Sequence, residues 1–281
     1  MKKEYGILLA IVLSVCSIYT SCDNKAAKTG KFEFDRIQIN KTAHLFGDTT
    51  KPGTNIIIDF SYISKSSDNT LKDSLNAYIL SACFGDKYTG EDIREVPESY
   101  AQNYISEYRQ DLEPMFLEDQ KYKDNSEYIA SWYSYYKGLE SQVEFYEKDL
   151  LVYRIDFNEY TGGAHGMYTS TFINFDLKNL YQLILDDIFV GDYQDTLSDL
   201  LWNQLATDQK VQTRAELEDM GYGSTGDLIP TENFYLSKEG ITFYYNVYEL
   251  TPYAMGAVEI KLPFETIEPI LKENNIIKQL R

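Results

Sequence analysis

The chain has 281 residues, with 26 Lys and Arg against 44 Asp and Glu, which gives a formal net charge of −18 at pH 7. This negative field repels nucleic acid and anionic surfaces and favours a cationic partner, although acidic charge also keeps a secreted protein soluble. Two histidines exclude a His-rich zinc site. If Cys16 is removed and Cys22 is acylated, one of the three cysteines remains and no intramolecular disulfide can form.

Residues 1–21 are predicted to be a lipoprotein signal peptide. Lys2 and Lys3 give a positively charged start, and an apolar run follows at 6–18. A membrane-spanning helix needs roughly 20 apolar residues, so this shorter run fits the hydrophobic region of a signal peptide.

The cleavage point is expected directly before Cys22. Ser21 is the small residue that the lipoprotein peptidase requires there, and residues 22–30 have the composition of a tether. We therefore expect acylation of Cys22. Two alternatives remain, which are cleavage without lipidation and lipidation at Cys16; the preceding Val15 disfavours the second.

An N-terminal α+β domain is predicted at 31–125. Alternating apolar residues predict strands, and apolar residues at helical spacing predict helices. The predicted elements are strands at 32–39 and 56–62 and helices at 71–82 and 100–116.

Local signals refine these elements. The strand pattern changes between Phe34 and Ile37, which indicates an irregularity, and Asp68 or Asn69 can cap the first helix. Pro114 is expected to kink or end the second helix. The tyrosines of that helix repeat every four residues, which fits a face packed on a sheet better than a ligand platform.

A second α+β domain is predicted at 126–281. It contains strands at 151–157, 169–175, 241–248 and 257–262, a helix capped by Asp195 and a short closing helix at 267–271. Runs of antiparallel-type strands with few helices indicate an α+β fold rather than an alternating βαβ fold. We predict antiparallel sheets with two to four packed helices in two closely associated subdomains.

The most distinctive segment is Tyr160-Thr161-Gly162-Gly163-Ala164-His165-Gly166. Its glycines permit positive φ angles and close backbone approach. His165 can act as a general base, a metal ligand or a ligand contact. The simpler interpretation is a tight hairpin in which the imidazole hydrogen-bonds the nearby backbone.

Other catalytic chemistry has little support in the sequence. There is no Gly-x-Ser-x-Gly elbow, no Ser-x-x-Lys pattern and no Gly-rich phosphate loop. A Cys83–His165 pair and a carboxylate calcium site both stay open, but no local motif marks either one. We therefore predict no catalytic residues, no metal site and no cofactor.

Several ordered segments of the C-terminal half resemble a known family. They are Gly162-Gly163-Ala164-His165-Gly166, Phe175-Asp176-Leu177, Phe234-Tyr235-Leu236, Gly240-Ile241, Pro252-Tyr253-Ala254 and Glu259-Ile260. With them, residues 130–275 resemble the extracytoplasmic domain shared by RsiV-like anti-sigma factors and PdaC-like peptidoglycan deacetylases. Residues 31–120 resemble, by layout alone, the domain that often precedes it, and the leader resembles that of Bacteroides-type lipoproteins.

This resemblance implies an envelope domain that binds rather than catalyses. RsiV-like proteins recognise lysozyme with this region, and in PdaC-like proteins the region accompanies a separate deacetylase domain and is thought to engage the cell wall. This sequence has no segment resembling a sigma-binding region, a transmembrane helix or a deacetylase domain. We therefore expect neither sigma-factor sequestration nor deacetylation.

The predicted function is that of a non-enzymatic envelope lipoprotein that binds a cationic, lysozyme-like protein or peptidoglycan fragments. The alternatives are a cell-wall hydrolase that uses His165 with a carboxylate, and a structural scaffold. The lipid anchor is Cys22, the location is periplasmic or surface-exposed, and nucleic acid is excluded as a partner. The candidate ligand-binding residues are Tyr160, Gly162, Gly163, His165 and Tyr253.

Overall fold

The computed structural model describes residues 28–29, 31–121, 131–273 and 276–280, so the predicted signal peptide and Cys22 lie outside the described residues. The described strands are β1 (Lys28–Thr29), β2 (Phe32–His44), β3 (Gly53–Ser66), β4 (Tyr135–Glu147), β5 (Leu150–Tyr160), β6 (Met167–Asp176), β7 (Tyr181–Gln182), β8 (Phe234–Leu236), β9 (Gly240–Tyr245) and β10 (Val258–Pro263). The described helices are α1 (Asn69–Phe84), α2 (Val96–Gln120), α3 (Leu185–Ile188), α4 (Gln194–Gln209), α5 (Arg214–Asp219), α6 (Phe264–Ile267) and α7 (Ile277–Leu280).

Two sheets organise the described part of the chain. Strands β1 to β7 form a seven-stranded sheet in sequence order, and β8 to β10 form a three-stranded antiparallel sheet. All neighbours in the large sheet pair antiparallel except β3 and β4, which pair in parallel. A parallel pair needs a long crossover, and α1 and α2 lie in it. The predicted α+β class is confirmed, with a mixed rather than purely antiparallel large sheet.

The large sheet contains strands from both sides of the predicted boundary at 125–126. Strands β1 to β3 precede that boundary, β4 to β7 follow it, and the parallel β3–β4 pair joins the two sets. The division into two domains stays a prediction.

The predicted strand irregularity lies earlier than expected. The register of β2 and β3 shifts between Glu33 and Phe34, where Glu33 pairs with Lys65 and Phe34 with Ile63. Ser64 is therefore the extra residue of a β-bulge. The predicted position after Phe34 is wrong because the extra residue lies on the partner strand, which the pattern of one strand cannot show.

Helix α1 follows its sequence signals. The side chain of Asp68 accepts a hydrogen bond from the Leu71 N–H at 3.0 Å, and this satisfies one of the free donors of the first turn. Leu71, Leu75 and Ile79 are buried against the large sheet. The prediction of Asp68 as a helix cap is confirmed.

Helix α2 continues through Pro114 to Gln120, so of the two expected effects of this proline, a kink or an end, the end is wrong. Proline removes one helical hydrogen bond, but Leu112 and Phe116 are buried on either side of it and hold both turns in place. Tyr108 is also buried, and its hydroxyl donates to the Tyr133 carbonyl at 2.7 Å. This part of the tyrosine stripe is a packed face.

Helix α4 begins two residues earlier than predicted. Tyr193 is the N-cap and makes no side-chain capping bond, while Asp195 lies inside the first turn. Asp195 is therefore not the cap, although a carboxylate in the first turn still stabilises the helix dipole.

The two faces of the large sheet belong to different apolar clusters. On β5, Leu151, Tyr153 and Ile155 face α1, whereas Val152 faces α4 and the small sheet. This alternation means that β5 and β6 are covered on both faces along much of their length. The C-terminal end of β5, the N-terminal end of β6 and the loop that joins them lie beyond the two apolar clusters and form the candidate site.

Candidate functional site

The loop between β5 and β6 is a tight turn that depends on glycine. Gly162 and Gly163 have φ angles of 85° and 101°, a region that L side chains rarely adopt. A Cβ atom at Gly162 would lie 2.9 Å from the Trp132 carbonyl oxygen. The Tyr160 hydroxyl donates to the Gly163 carbonyl at 2.9 Å and closes the turn.

His165 lies at the end of this loop with its ring exposed. Its Nδ1 is 2.9 Å from the Gly166 carbonyl oxygen, and its Nε2 is 3.2 Å from the Tyr248 hydroxyl. A carbonyl can only accept, so Nδ1 carries a proton; in the neutral ring Nε2 then accepts from Tyr248. The imidazole is thus fixed by one backbone and one side-chain contact.

A second loop, between β9 and β10, brings two tyrosines to this histidine. The Tyr253 ring stacks on His165 with a centroid distance of 4.0 Å and an interplanar angle of 20°, and the Tyr248 ring is 5.6 Å from Tyr253. From β6, the Tyr168 ring adds an edge contact with Tyr253 at 5.8 Å. We call His165, Tyr168, Tyr248 and Tyr253 the aromatic loop cluster.

Asparagine side chains hold the second loop and the small sheet against β6. Asn246 accepts from the Ser170 N–H at 2.7 Å and donates to the Ser170 carbonyl at 3.2 Å. Asn233 accepts from the Phe172 N–H at 2.9 Å and donates to the Ser170 carbonyl at 2.9 Å. An asparagine amide carries one acceptor and two donors, so it can occupy the position of a neighbouring strand. These contacts fix the position of Tyr253 relative to His165.

A pocket of about 320 Å³ opens beside the cluster at the ends of β4, β5 and β6. Phe157 and Met167 contribute to its walls, and Lys137 forms an ion pair with Glu159 at 3.3 Å. Tyr168 belongs both to the pocket lining and to the aromatic loop cluster.

Lys137 is held by aromatic neighbours as well. Its ammonium group lies 5.3 Å from the centre of the Tyr104 ring. Burial opposes the charge, but Tyr100, Glu159 and Tyr104 outweigh that effect, so the pKa of Lys137 is raised and the group is cationic at neutral pH.

The structure brings all five predicted ligand-binding residues together. Tyr160, Gly162, Gly163 and His165 share one loop, and Tyr253 stacks on His165 from the other. Their role in binding stays a prediction. Tyr168 and Tyr248 were not predicted as site residues, although Tyr248 follows strand β9 within the region of the family resemblance.

Two residues bear on the catalytic alternatives considered above, His165 and Cys83. In the described residues, the hydrogen bonds of the His165 ring go to a carbonyl and a phenol, not to a carboxylate. Cys83 is buried in the core, where burial raises the pKa of its thiol to about 12 despite hydrogen bonds with Ser141 and Tyr153. Its hydrogen-bond partners are therefore Ser141 and Tyr153, and His165 is not among them.

Metal-binding clusters and membrane-spanning helices are both absent from the described residues. These residues contain no group of three or more His, Cys, Asp and Glu side chains that could hold a metal ion. They also contain no helix with the length and apolar character needed to cross a membrane.

Comparison with known proteins places these features in a family context. A family model described as "Protein of unknown function (DUF3298)" matches residues 186–265, and one described as "Deacetylase PdaC" matches residues 49–168. The peptidoglycan-N-acetylmuramic acid deacetylase PdaC of Bacillus subtilis strain 168 is 26% identical over 145 residues. That match covers 50% of this chain and 30% of the deacetylase. The similarity indicates an extracytoplasmic protein of the cell envelope.

Two crystal structures share the fold. A DUF3298 protein from Pseudomonas aeruginosa PAO1 is 17% identical, with a TM-score of 0.59 over 86% of this chain and 95% of its own, and shows the fold alone. A member of the DUF3298 family from Bacteroides fragilis NCTC 9343 is 62% identical, with a TM-score of 0.86 over 89% of this chain and 97% of its own. At this identity and coverage, the chain belongs to the DUF3298 family.

Proposed function

We propose that this chain is a non-catalytic binding module of the cell envelope that binds the glycan of peptidoglycan fragments through the aromatic loop cluster. The observation that carries this proposal is the stack of His165 and Tyr253, at 4.0 Å between ring centres, on the outside of the fold. Aromatic rings bind sugars by packing a face or an edge against the C–H groups of the sugar ring. Tyrosine adds a hydroxyl that can hydrogen-bond a sugar hydroxyl.

The cluster combines exposure with a fixed geometry. Tyr168 is 36% exposed and Tyr248 is 45% exposed, so both present ring surface to a ligand. The Tyr248 hydroxyl contacts His165, and the loop is closed by the Thr251 hydroxyl, which donates to the Gly256 carbonyl at 3.0 Å. Rings that are already held in place lose less conformational entropy when they bind.

The family comparison supports the ligand class. The curated relative carries peptidoglycan and N-acetylmuramic acid in its name, and this chain spans 30% of that protein's length. The deacetylase activity of that protein is not part of the proposal, because the hydrogen bonds of His165 supply no carboxylate partner.

Calorimetric titration tests this proposal. The purified chain is titrated with the disaccharide of N-acetylglucosamine and N-acetylmuramic acid, and Tyr253→Ala is compared with Tyr181→Ala. Tyr181 is a matched control, since it is 41% exposed and lies on the edge strand β7. Loss of one aromatic stack worth about 0.5–1.5 kcal/mol should weaken binding about 2- to 10-fold in Tyr253→Ala alone. No heat with the wild-type chain, or equal loss in both variants, would reject the glycan ligand.

A cationic, lysozyme-like protein is a second candidate ligand, favoured by the net charge of −18. Electrostatic attraction between opposite charges speeds association and is screened by salt. Titration with lysozyme at low and at physiological ionic strength should show binding that weakens as salt rises. Absence of binding at both salt concentrations would remove this candidate.

In the same proposal, an acyl chain on Cys22 anchors the protein on the periplasmic or outer surface of a membrane. The support is the signal-peptide pattern of residues 1–21, which ends at a small residue before the cysteine. Cells fed a labelled fatty acid should incorporate label into the wild-type protein but not into Cys22→Ser. Equal labelling of both proteins, or labelling of neither, would contradict acylation at this position.

A further inference from the structure

The pocket beside the aromatic loop cluster has walls of mixed chemistry. Glu159 pairs across the strands with Lys137 on one side and Met167 on the other, and Phe157 pairs with Thr169. Alternation along strands puts these five side chains on one face of the sheet. The pocket therefore combines an apolar wall, a hydroxyl and an ion pair of 3.3 Å.

A ligand suited to these walls carries charges of both signs close to apolar atoms. Lys137 can pair with a carboxylate and Glu159 with an ammonium group, while Phe157 and Met167 contact aliphatic carbons. A neutral sugar uses neither charge. A volume of about 320 Å³ lies at the lower end of the range for small-ligand pockets, which suits one or two amino-acid residues.

The edge of β6 adds a backbone contact next to this pocket. The N–H and the carbonyl of Ser170 point away from β5, because they bond to Asn246 and Asn233. In an antiparallel pair this direction repeats every second residue, so the N–H and carbonyl of Tyr168 also point outward. In the described part of the chain, no residue hydrogen-bonds these two groups of Tyr168. An extended peptide can pair with such a free edge.

From these features we infer that the pocket is a subsite for the peptide attached to the peptidoglycan sugar. The inference rests on the proposed glycan binding, since Tyr168 lies between the two subsites. Its backbone borders the pocket, while its ring, which alternation puts on the opposite face of the sheet, lies 5.8 Å from Tyr253. A peptide attached to a sugar on Tyr253 thus passes around the free edge of β6 to reach the pocket on the other face. The peptide backbone pairs with Tyr168, and its charged groups meet Lys137 and Glu159.

The test compares two ligands on the full chain by calorimetry. One ligand is the disaccharide of N-acetylglucosamine and N-acetylmuramic acid with its lactyl carboxyl group blocked as a simple amide, so that it is neutral, and the other is the same disaccharide carrying its short peptide on that carboxyl group. The readout is the ratio of the two dissociation constants within each variant. We expect the peptide to improve affinity about tenfold in the wild-type chain.

Two pocket variants and one control complete the design. Met167→Trp fills the pocket, and Lys137→Met removes its cation at similar length; both should bring the affinity ratio close to one. Met220→Trp is the control, because Met220 is 46% exposed and lies at the end of α5. It should keep the wild-type ratio.

The outcomes separate this inference from the function on which it rests. Equal affinity of the wild-type chain for both ligands overturns the peptide subsite while glycan binding stands. An unchanged ratio in both Met167→Trp and Lys137→Met overturns the assignment to this pocket. If neither ligand binds, the proposed function fails as well.

Discussion

Replacement of Asn174 by alanine should destabilise the fold strongly, because this side chain joins the two sheets. Its amide donates to the Phe234 carbonyl at 2.7 Å, and its oxygen accepts from the Leu236 N–H at 3.0 Å. Asn174 is 1% exposed, and both partner residues on β8 are fully buried.

The magnitude follows from the groups left without partners. In Asn174→Ala, one buried carbonyl and one buried N–H lose their hydrogen bonds, at a cost of about 1–3 kcal/mol each. The free energy of unfolding should therefore fall by about 2–6 kcal/mol. For a protein whose total stability is about 5–15 kcal/mol, this is a large fraction.

Urea unfolding followed by tryptophan fluorescence measures this loss. Asn203→Ala is the matched control, since Asn203 is exposed on α4 and exposed substitutions change stability by about 0.5 kcal/mol or less. Equal midpoints and slopes for Asn174→Ala and Asn203→Ala would refute the conclusion that this amide holds the sheets together.

Four further predictions concern single residues. Burial raises the pKa of the Cys83 thiol to about 12, so this thiol should resist alkylation at pH 8 in the folded protein and react once urea unfolds the chain. Fast alkylation without denaturant would contradict its burial. The unfolded chain loses the Cys83 proton above its ordinary pKa of 9.0, whereas the folded chain keeps it, so the free energy of unfolding should fall as the pH rises above about 9. Urea unfolding at a series of pH values measures this fall. Gly162→Ala should lower the melting temperature more than Gly163→Ala. Both glycines have a positive φ angle, so alanine is strained at either position. A Cβ atom at 162 would also lie 2.9 Å from the Trp132 carbonyl oxygen, whereas a Cβ atom at 163 would have none of the described atoms within 4 Å. Asp68→Ala should cost about 1 kcal/mol in urea unfolding through loss of the α1 cap, and an unchanged midpoint would argue against that cap.

Local signals in the sequence were sufficient for most elements of the fold. The 56–62 alternation, the Asp68 cap and the glycines before His165 each depend on residues close together in the chain, and each predicted its element correctly. Pro114 does not end α2, one of its two expected effects, because burial of the turns on both sides outweighs one lost hydrogen bond. The parallel pairing of β3 with β4 depends on tertiary contacts, which alternation within one strand does not report.

The site was only half predictable for the same reason. His165 and Gly162 belong to one recognisable segment, but the Tyr248 hydroxyl reaches His165 from 83 positions away in the chain. Asn233 and Asn246 fix this approach, but in the sequence they are typical turn residues. An asparagine amide that takes the place of a neighbouring strand has no sequence pattern of its own.

The backbone conformation of Tyr248 helps to decide whether the aromatic loop cluster is a contact surface or only a structural hairpin. Tyr248 has a φ angle of 71°, where a residue with a Cβ pays about 1–2 kcal/mol relative to glycine. Its N–H bonds the Thr251 carbonyl at 3.1 Å, a contact that glycine would make equally well, so closing the loop does not require tyrosine. What tyrosine adds is a half-exposed ring beside Tyr253 and a hydroxyl on His165. A strained tyrosine that contributes ring surface rather than core burial fits a contact surface better than a structural hairpin.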